Sequence, residues 1–215
     1  MLGIENGLAL EGKVANVEHF ARRGVVYITL CHNGDNDLCD SAKGEHIHGG
    51  LSALGKEVVR EMNRLGVMVD MSHASEQSFY DALEVSSQPI VCSHSSCRAL
   101  CDHPRNLTDD QMRALAQKGG VCQVTAYPGF LRQDGQATIR DLIAHVNHAV
   151  EVMGIDHVGL GTDFDGDGGV PGLADASDAM NFTRQLLQQH YKEESLAKLW
   201  GGNFLRVMSQ VQSKQ

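Results

Sequence analysis

Val67-Met-Val-Asp-Met-Ser-His73, Pro89-Ile-Val-Cys-Ser-His94 and His157-Val-Gly-Leu-Gly-Thr-Asp163 are built alike. In each, an apolar run of strand length stops at a side chain able to hold a metal or a proton. Helical patterns lie between them. Parallel strands with chemistry at their C-terminal ends describe the working face of an α/β barrel. Two imidazoles and a carboxylate on such a rim are the parts of a metal-activated hydrolase.

A helix-glycine-strand unit recurs along the chain. Val14, Val17, Phe20 and Ala21 form a helical stripe that stops at Gly24, before the strand Val25 to Leu30. Leu51, Leu54, Val58, Met62 and Leu65 form another, stopping at Gly66. Thr108 with Asp109 and Asp110 caps a third, which ends at Gly119-Gly120 before Val121-Cys-Gln-Val-Thr125. Thr138 precedes the stripe Ile139, Leu142, Ile143, Val146, Val150, Met153, which Gly154 ends. The glycines suit the left-handed position after a helix, and the hydroxyl and carboxylate caps suit helix starts. Strands alternating with helices call for a parallel sheet.

Strands end near Leu30, His73, His94, Thr125 and Thr162, and Met1-Leu-Gly-Ile-Glu5 reads as the stub of one more. That makes about six where a closed barrel takes eight and roughly 250 residues; this chain has 215. After Asp163 come two helical patterns and no strand: Phe182, Leu186 and Leu187, then Leu196, Leu199, Trp200, Phe204, Leu205 and Met208. The expected fold is therefore α/β, a (β/α)8 TIM-type barrel incomplete at its N-terminus, as a single domain over residues 1–215, with the missing strands expected before residue 1.

A net charge of −9 argues against a nucleic-acid partner or an anionic membrane surface. No apolar stretch approaches the roughly 20 residues of a membrane span, and the N-terminus lacks the basic and apolar regions of a secretory signal. Cys31, Cys92 and Cys122 lie in apolar runs and read as small buried hydrophobes. The run Cys92, Cys97, Cys101 lacks the tight paired spacing of a thiolate zinc site. The compartment stays open; reduced thiols lean towards the cytoplasm.

His73 and His94 end consecutive strands, and parallel neighbours stand about 4.8 Å apart, so both imidazoles can share one ion; the alternative is two histidines bonded to loop backbone. Asp163 can take a proton from a metal-bound water and return it to a leaving amine, or simply cap a turn. Asp163-x-Asp165-x-Asp167-Gly168 opens like a calcium loop, but its twelfth position is Ala174 instead of glutamate. Glu5, at the end of its stub, would be unremarkable by itself. His32 lies at the same rim, and Arg105 in His103-Pro-Arg-Asn106 can fork onto a substrate carboxylate or sit in a surface salt bridge. His46-x-His48 falls in a glycine-rich polar stretch and reads as loop. His145 and His148 share a helix face, where most such pairs are solvated or capping. No Gly-x-Ser-x-Gly elbow supports a serine nucleophile.

With those residues stand Gly3-Ile-Glu-Asn-Gly7, Tyr27-Ile-Thr-Leu-Cys-His-Asn33, the run Gly50 to Gly66, Val69-Asp-Met-Ser-His73, Ser93-His-Ser-Ser96, His103-Pro-Arg-Asn106, Tyr127-Pro-Gly-Phe130 and His157 to Gly166. In this order they resemble the membrane (renal) dipeptidase family of the amidohydrolase superfamily, in its bacterial form, nearly end to end. The resemblance implies a two-zinc barrel that hydrolyses dipeptides with a metal-bridging hydroxide. It implies Glu5 as the bridging carboxylate, His73 and His94 as ligands of the second zinc, and Asp163 as the acid/base. His32 would meet the scissile carbonyl and Arg105 the substrate carboxylate. A dipeptide is the implied partner, with a homodimer by resemblance only. The family's His-x-Asp pair for the first zinc has no counterpart in this sequence. An alternative is therefore a catalytically inactive remnant that binds one zinc ion or none, or an oligomerising one; a deaminase or phosphotriesterase relative is a third reading.

Overall fold

The computed structural model describes residues 1–213. Among them are the strands β1 (Leu2–Glu5), β2 (Val25–Thr29), β3 (Met68–Asp70), β4 (Val91–Cys92), β5 (Val121–Thr125) and β6 (Val158–Gly161). The helices are α1 (Ala15–Ala21), α2 (Ala53–Arg64), α3 (Glu76–Val85), α4 (Asp109–Gln117), α5 (Pro128–Leu131), α6 (Ile139–Met153), α7 (Ala179–Gln188), α8 (Glu193–Ala197) and α9 (Asn203–Gln212). The stub at Leu2–Glu5 is a true strand. The chain divides into two compact units. The first holds residues 1–92, 117–120 and the described residues from 205 on; the second holds 93–116 and 121–204.

In the first unit, β1 to β4 pair in parallel in sequence order. Their register lines up one rung: Glu5 faces Thr29, Thr29 faces Asp70, and Asp70 faces Val91. Between strands, α2 packs on α3 and β3 and buries Val58, Val59 and Met62. Its start is capped by the Ser52 side chain, which accepts from the Gly55 N–H; Ser75 does the same for α3 through the Ser78 N–H. Each cap satisfies an otherwise orphaned helix donor. Leu51, expected in the α2 stripe, instead makes an antiparallel bridge with Cys39. Gly66, at φ 66°, turns the chain from α2 into β3 through a conformation that costs other residues a steric penalty.

In the second unit, β5 and β6 pair in register from Cys122 opposite Val158 to Thr125 opposite Gly161. Helix α6 packs on both, burying Leu142, Ile143, Val146, Ala149 and Met153. It opens with a reciprocal capping box between Thr138 and Asp141. The long pattern from Leu196 to Met208 is not one helix. It breaks into α8, a π-type turn over Lys198–Gly202 and α9. Gly201 takes φ 142°, which only glycine adopts readily. The Asn203 amide then pins the start of α9 by donating to the carbonyls of Ile155 and Val158, at 2.7 and 2.8 Å.

The strands also stop short of the residues that mark them in the sequence. β3 ends three residues before His73, β4 two before His94 and β6 two before Asp163. His73 (φ 71°) and Asp163 (φ 59°) have left-handed backbones, which cannot continue a ladder.

Candidate metal and substrate site

The first unit builds a three-donor cluster beyond the Glu5–Thr29–Asp70 rung. Glu5 closes β1, while His32 and His73 each lie three residues past their rung positions. Glu5 Oε1 is 3.1 Å from His73 Nε2. The His32 and His73 rings stand 4.5 Å apart, tilted by 43°. One ligand atom from each of Glu5, His32 and His73 lies within 4.8 Å of the others, the one such triad among the described residues. Its half-exposed carboxylate faces a nearly buried imidazole, with side-chain exposures of 47% and 8%, so the cluster opens outward.

The donor set fits a divalent transition metal. Zinc takes imidazole nitrogen and carboxylate oxygen at about 2.0–2.2 Å, and two such donors at a tetrahedral ion stand about 3.3 Å apart. The Glu5–His73 separation is close to that edge. His32, expected as a substrate contact, brings its ring to the same place.

The backbone under the triad is fixed by buried polar groups. Asp70 is fully buried; it accepts from Thr29 Oγ1 at 2.5 Å and from the Ser72 N–H at 3.1 Å. The 22 residues between β2 and α2 that follow Leu30, namely 31–52, contain no helix or strand, yet carboxylates tie them down. Asp40 accepts from the N–H groups of His48 and Gly50. Burial alone would raise the Asp35 carboxyl, but the N–H groups of Ser41, Ile47, His46 and Glu45 outweigh it and hold it below the usual range. Asp40 and Ser41 stand outside the motifs that mark the site in the sequence, and Asp70 lies inside one of them without closing it. A carboxylate inside the apolar run Val67 to Met71 was the available signal for Asp70.

The second unit carries the other three candidates. His94 is nearly buried, and its Nδ1 lies 2.8 Å from Ser93 Oγ, a contact that fixes the ring and turns Nε2 away from the serine. Arg105 is no surface residue: it is 3% exposed. Its Nη2 donates to the His94 carbonyl at 3.0 Å, and its guanidinium stands 5.3 Å from the centre of the Phe130 ring. Asp163 follows β6 in a tight loop whose Gly166 and Gly168 N–H groups donate to its carbonyl at 3.0 and 2.7 Å.

The remaining candidates have structural duties. His145 is neither solvated nor capping; it is buried, accepting at Nδ1 from the Cys97 N–H at 3.1 Å, with Nε2 3.1 Å from the Leu131 carbonyl. His148 pairs with Asp109 at 2.8 Å. His48 Nε2 lies 2.8 Å from the Asn36 carbonyl, within its loop. All six cysteines are free and buried. Among the described residues, no helix is long and apolar enough to cross a membrane.

The sequence profile of the membrane dipeptidases (Peptidase family M19) matches residues 1–215. A dipeptidase of Claviceps purpurea, tcpJ, is 40% identical over 99% of this chain and 51% of its own length. An uncharacterized dipeptidase of Schizosaccharomyces pombe is 40% identical over 98% of this chain and 52% of its own. The chain thus spans about half the length of these relatives. Among solved structures, the probable dipeptidase PvdM of Pseudomonas aeruginosa superposes with TM-score 0.96 at 30% identity, covering 99% of this chain and 69% of that one. A metallo peptidase of Rhodobacter sphaeroides, liganded with a phosphinate mimic of the dipeptide L-Ala-D-Ala, gives TM-score 0.90 at 26% identity, covering 98% and 63%. These likenesses give the fold class as α/β of the amidohydrolase barrel type, of which six strands are present among the described residues. The chain belongs to the membrane dipeptidase family, Peptidase family M19.

Proposed function

We propose that the chain serves in zinc-dependent hydrolysis of dipeptides, as one barrel domain. The observation that carries this reading is the Glu5–His32–His73 triad in a chain of the M19 family. Glu5 and His73 would hold the ion, and the family motifs give His94 the same role. When bound, zinc lowers the pKa of its water towards 7 and polarises a carbonyl oxygen.

The chain's own groups do the rest. Arg105 receives the C-terminal carboxylate of the substrate on its fork, and Phe130 holds the guanidinium plane in place. A dipeptide then places its one peptide bond at a fixed distance from that anchor, so longer peptides and C-terminal amides fit poorly. His32 meets the scissile carbonyl oxygen as charge develops there. Asp163 accepts a proton at its carboxylate and delivers it to the departing amine. The partners in this reading are a dipeptide and, by family resemblance, a second copy of the chain.

The test is zinc content per chain after dialysis without chelator, paired with hydrolysis of a dipeptide and of its C-terminal amide. Bound zinc and a dipeptide turned over well ahead of its amide are expected. Equal turnover of the two overturns the Arg105 role. Zinc without hydrolysis leaves the inactive metal-binding remnant as the better reading.

A further inference from the structure

We infer that Ser41 is a positioning residue that sets the spacing of His32 and His73. Its hydroxyl is fully buried and lies 2.5 Å from the His32 carbonyl and 3.2 Å from the His73 carbonyl. One O–H proton is thus shared unequally between the backbones of two neighbouring members of the triad. The hydroxyl bonds neither imidazole, so it acts on where the rings start.

The surrounding loop is organised around this contact. Ser41 pairs with Ala74 in an antiparallel bridge, and the Ala42 N–H donates to the His73 carbonyl at 2.7 Å. The Ser41 N–H is itself held by Asp35 Oδ1 at 2.7 Å. On the preceding residue, the Asp40 carbonyl accepts from the Ser75 N–H at 2.9 Å, just beyond His73. Loops this long without regular structure are uncommon in compact domains and are usually functional when ordered. Here the segment carries one hydroxyl to the place where two strand ends must be joined. His73 has a left-handed backbone, a conformation that persists only where surroundings over-determine it; the Ser41 and Ala42 contacts to its carbonyl supply that constraint.

This inference rests on the proposed function, in which Glu5 and His73 would hold zinc and His32 stands beside them as the substrate contact. Its test therefore combines zinc titration with a metal-free readout, the imidazole NMR signals of His32 and His73. Ser41→Ala is expected to weaken zinc binding about tenfold or more, the usual effect of losing a group that orients ligands. In the metal-free protein it should shift both ring signals. Ser41→Cys, a weaker donor of similar size, should act in the same direction by less. Ser78→Ala removes another buried hydroxyl of the same region, which donates to the Asp40 carbonyl at 2.9 Å, and should leave both readouts near wild type.

Unchanged zinc affinity and unmoved ring signals in Ser41→Ala overturn the proposal. So do equal effects of Ser41→Ala and Ser78→Ala, which would mark a general loss of packing. If the wild-type protein binds no zinc, the metal reading of the cluster fails, and the ring signals alone decide for or against Ser41.

Discussion

Arg105 donates from Nη2 to the carbonyl of His94 at 3.0 Å, so the residue assigned to the substrate carboxylate also braces the backbone of a residue assigned to the metal. Lysine keeps the charge but has no planar fork. Arg105→Lys is expected to lower kcat/KM for dipeptides about tenfold to a hundredfold, with the loss mostly in KM. Because the arginine is buried, it should also cost about 1–3 kcal/mol of stability. Steady-state kinetics and a urea titration on the same preparation check both parts.

His145 should make the protein acid-sensitive above the carboxylate range. Burial pushes its pKa down to about 4, against a smaller opposing effect of the Leu131 carbonyl. The unfolded chain takes up this proton near pH 6.5, and the folded one resists until about pH 4. Stability therefore falls as pH drops from 6.5 towards 4 and is fully present above 6.5, with a slope of at most about 1.4 kcal/mol per pH unit from this group. Urea midpoints at pH 7, 5.5 and 4.5 should show the decline. His145→Asn, which cannot take up the proton, should flatten it.

Gly161 is the position where a methyl group does most harm in β6. A Cβ there would collide with the Ser93 carbonyl, adjacent to His94. Gly161→Ala is expected to destabilise by about 1–3 kcal/mol, as other overpacking changes do, and to disturb the Ser93–His94 contact. Thermal melting and the His94 ring signal measure the two effects separately. A melting temperature equal to wild type would contradict the backbone approach described here.

Six free, buried thiols should be nearly silent to a polar thiol reagent in the native protein and fully reactive in denaturant. For Cys97, burial pushes the thiol well above its ordinary range, and thiol reactivity requires the thiolate. Ellman titration before and after unfolding is the check; fast labelling of several native thiols would show that these side chains are not packed as described.

The sequence carried the order of elements well because each signal there is local. Helix stripes, serine and threonine caps and the glycines after helices act within a few residues. The stop at Gly201 escaped because the apolar spacing runs on through it; the break lies in the Gly201 backbone, beside a distant tie of Asn203 to Ile155 and Val158. At the site, His73 was legible as the residue closing an apolar run and Glu5 only through the family resemblance; the structure sets them 3.1 Å apart. Ser41 and Asp70 were not, because their partners are fixed by strand register and by a loop with no periodic pattern. Arg105 read as well as a surface salt bridge as a substrate anchor, since burial is a property of the folded chain.

The left-handed backbones of His73 and Asp163 set this chain's stability against the chemistry proposed for it. A non-glycine residue held there costs on the order of 1 kcal/mol, a penalty that glycine escapes. Asp163→Gly would thus relieve strain while deleting a group assigned to the chemistry, whereas at His73 the contacts of a nearly buried ring offset the same relief; selection for thermal stability alone would favour only the change at Asp163. A stabilisation campaign on this protein would therefore have to screen for function at every round, because relief of backbone strain is on offer at a residue it would most need to keep.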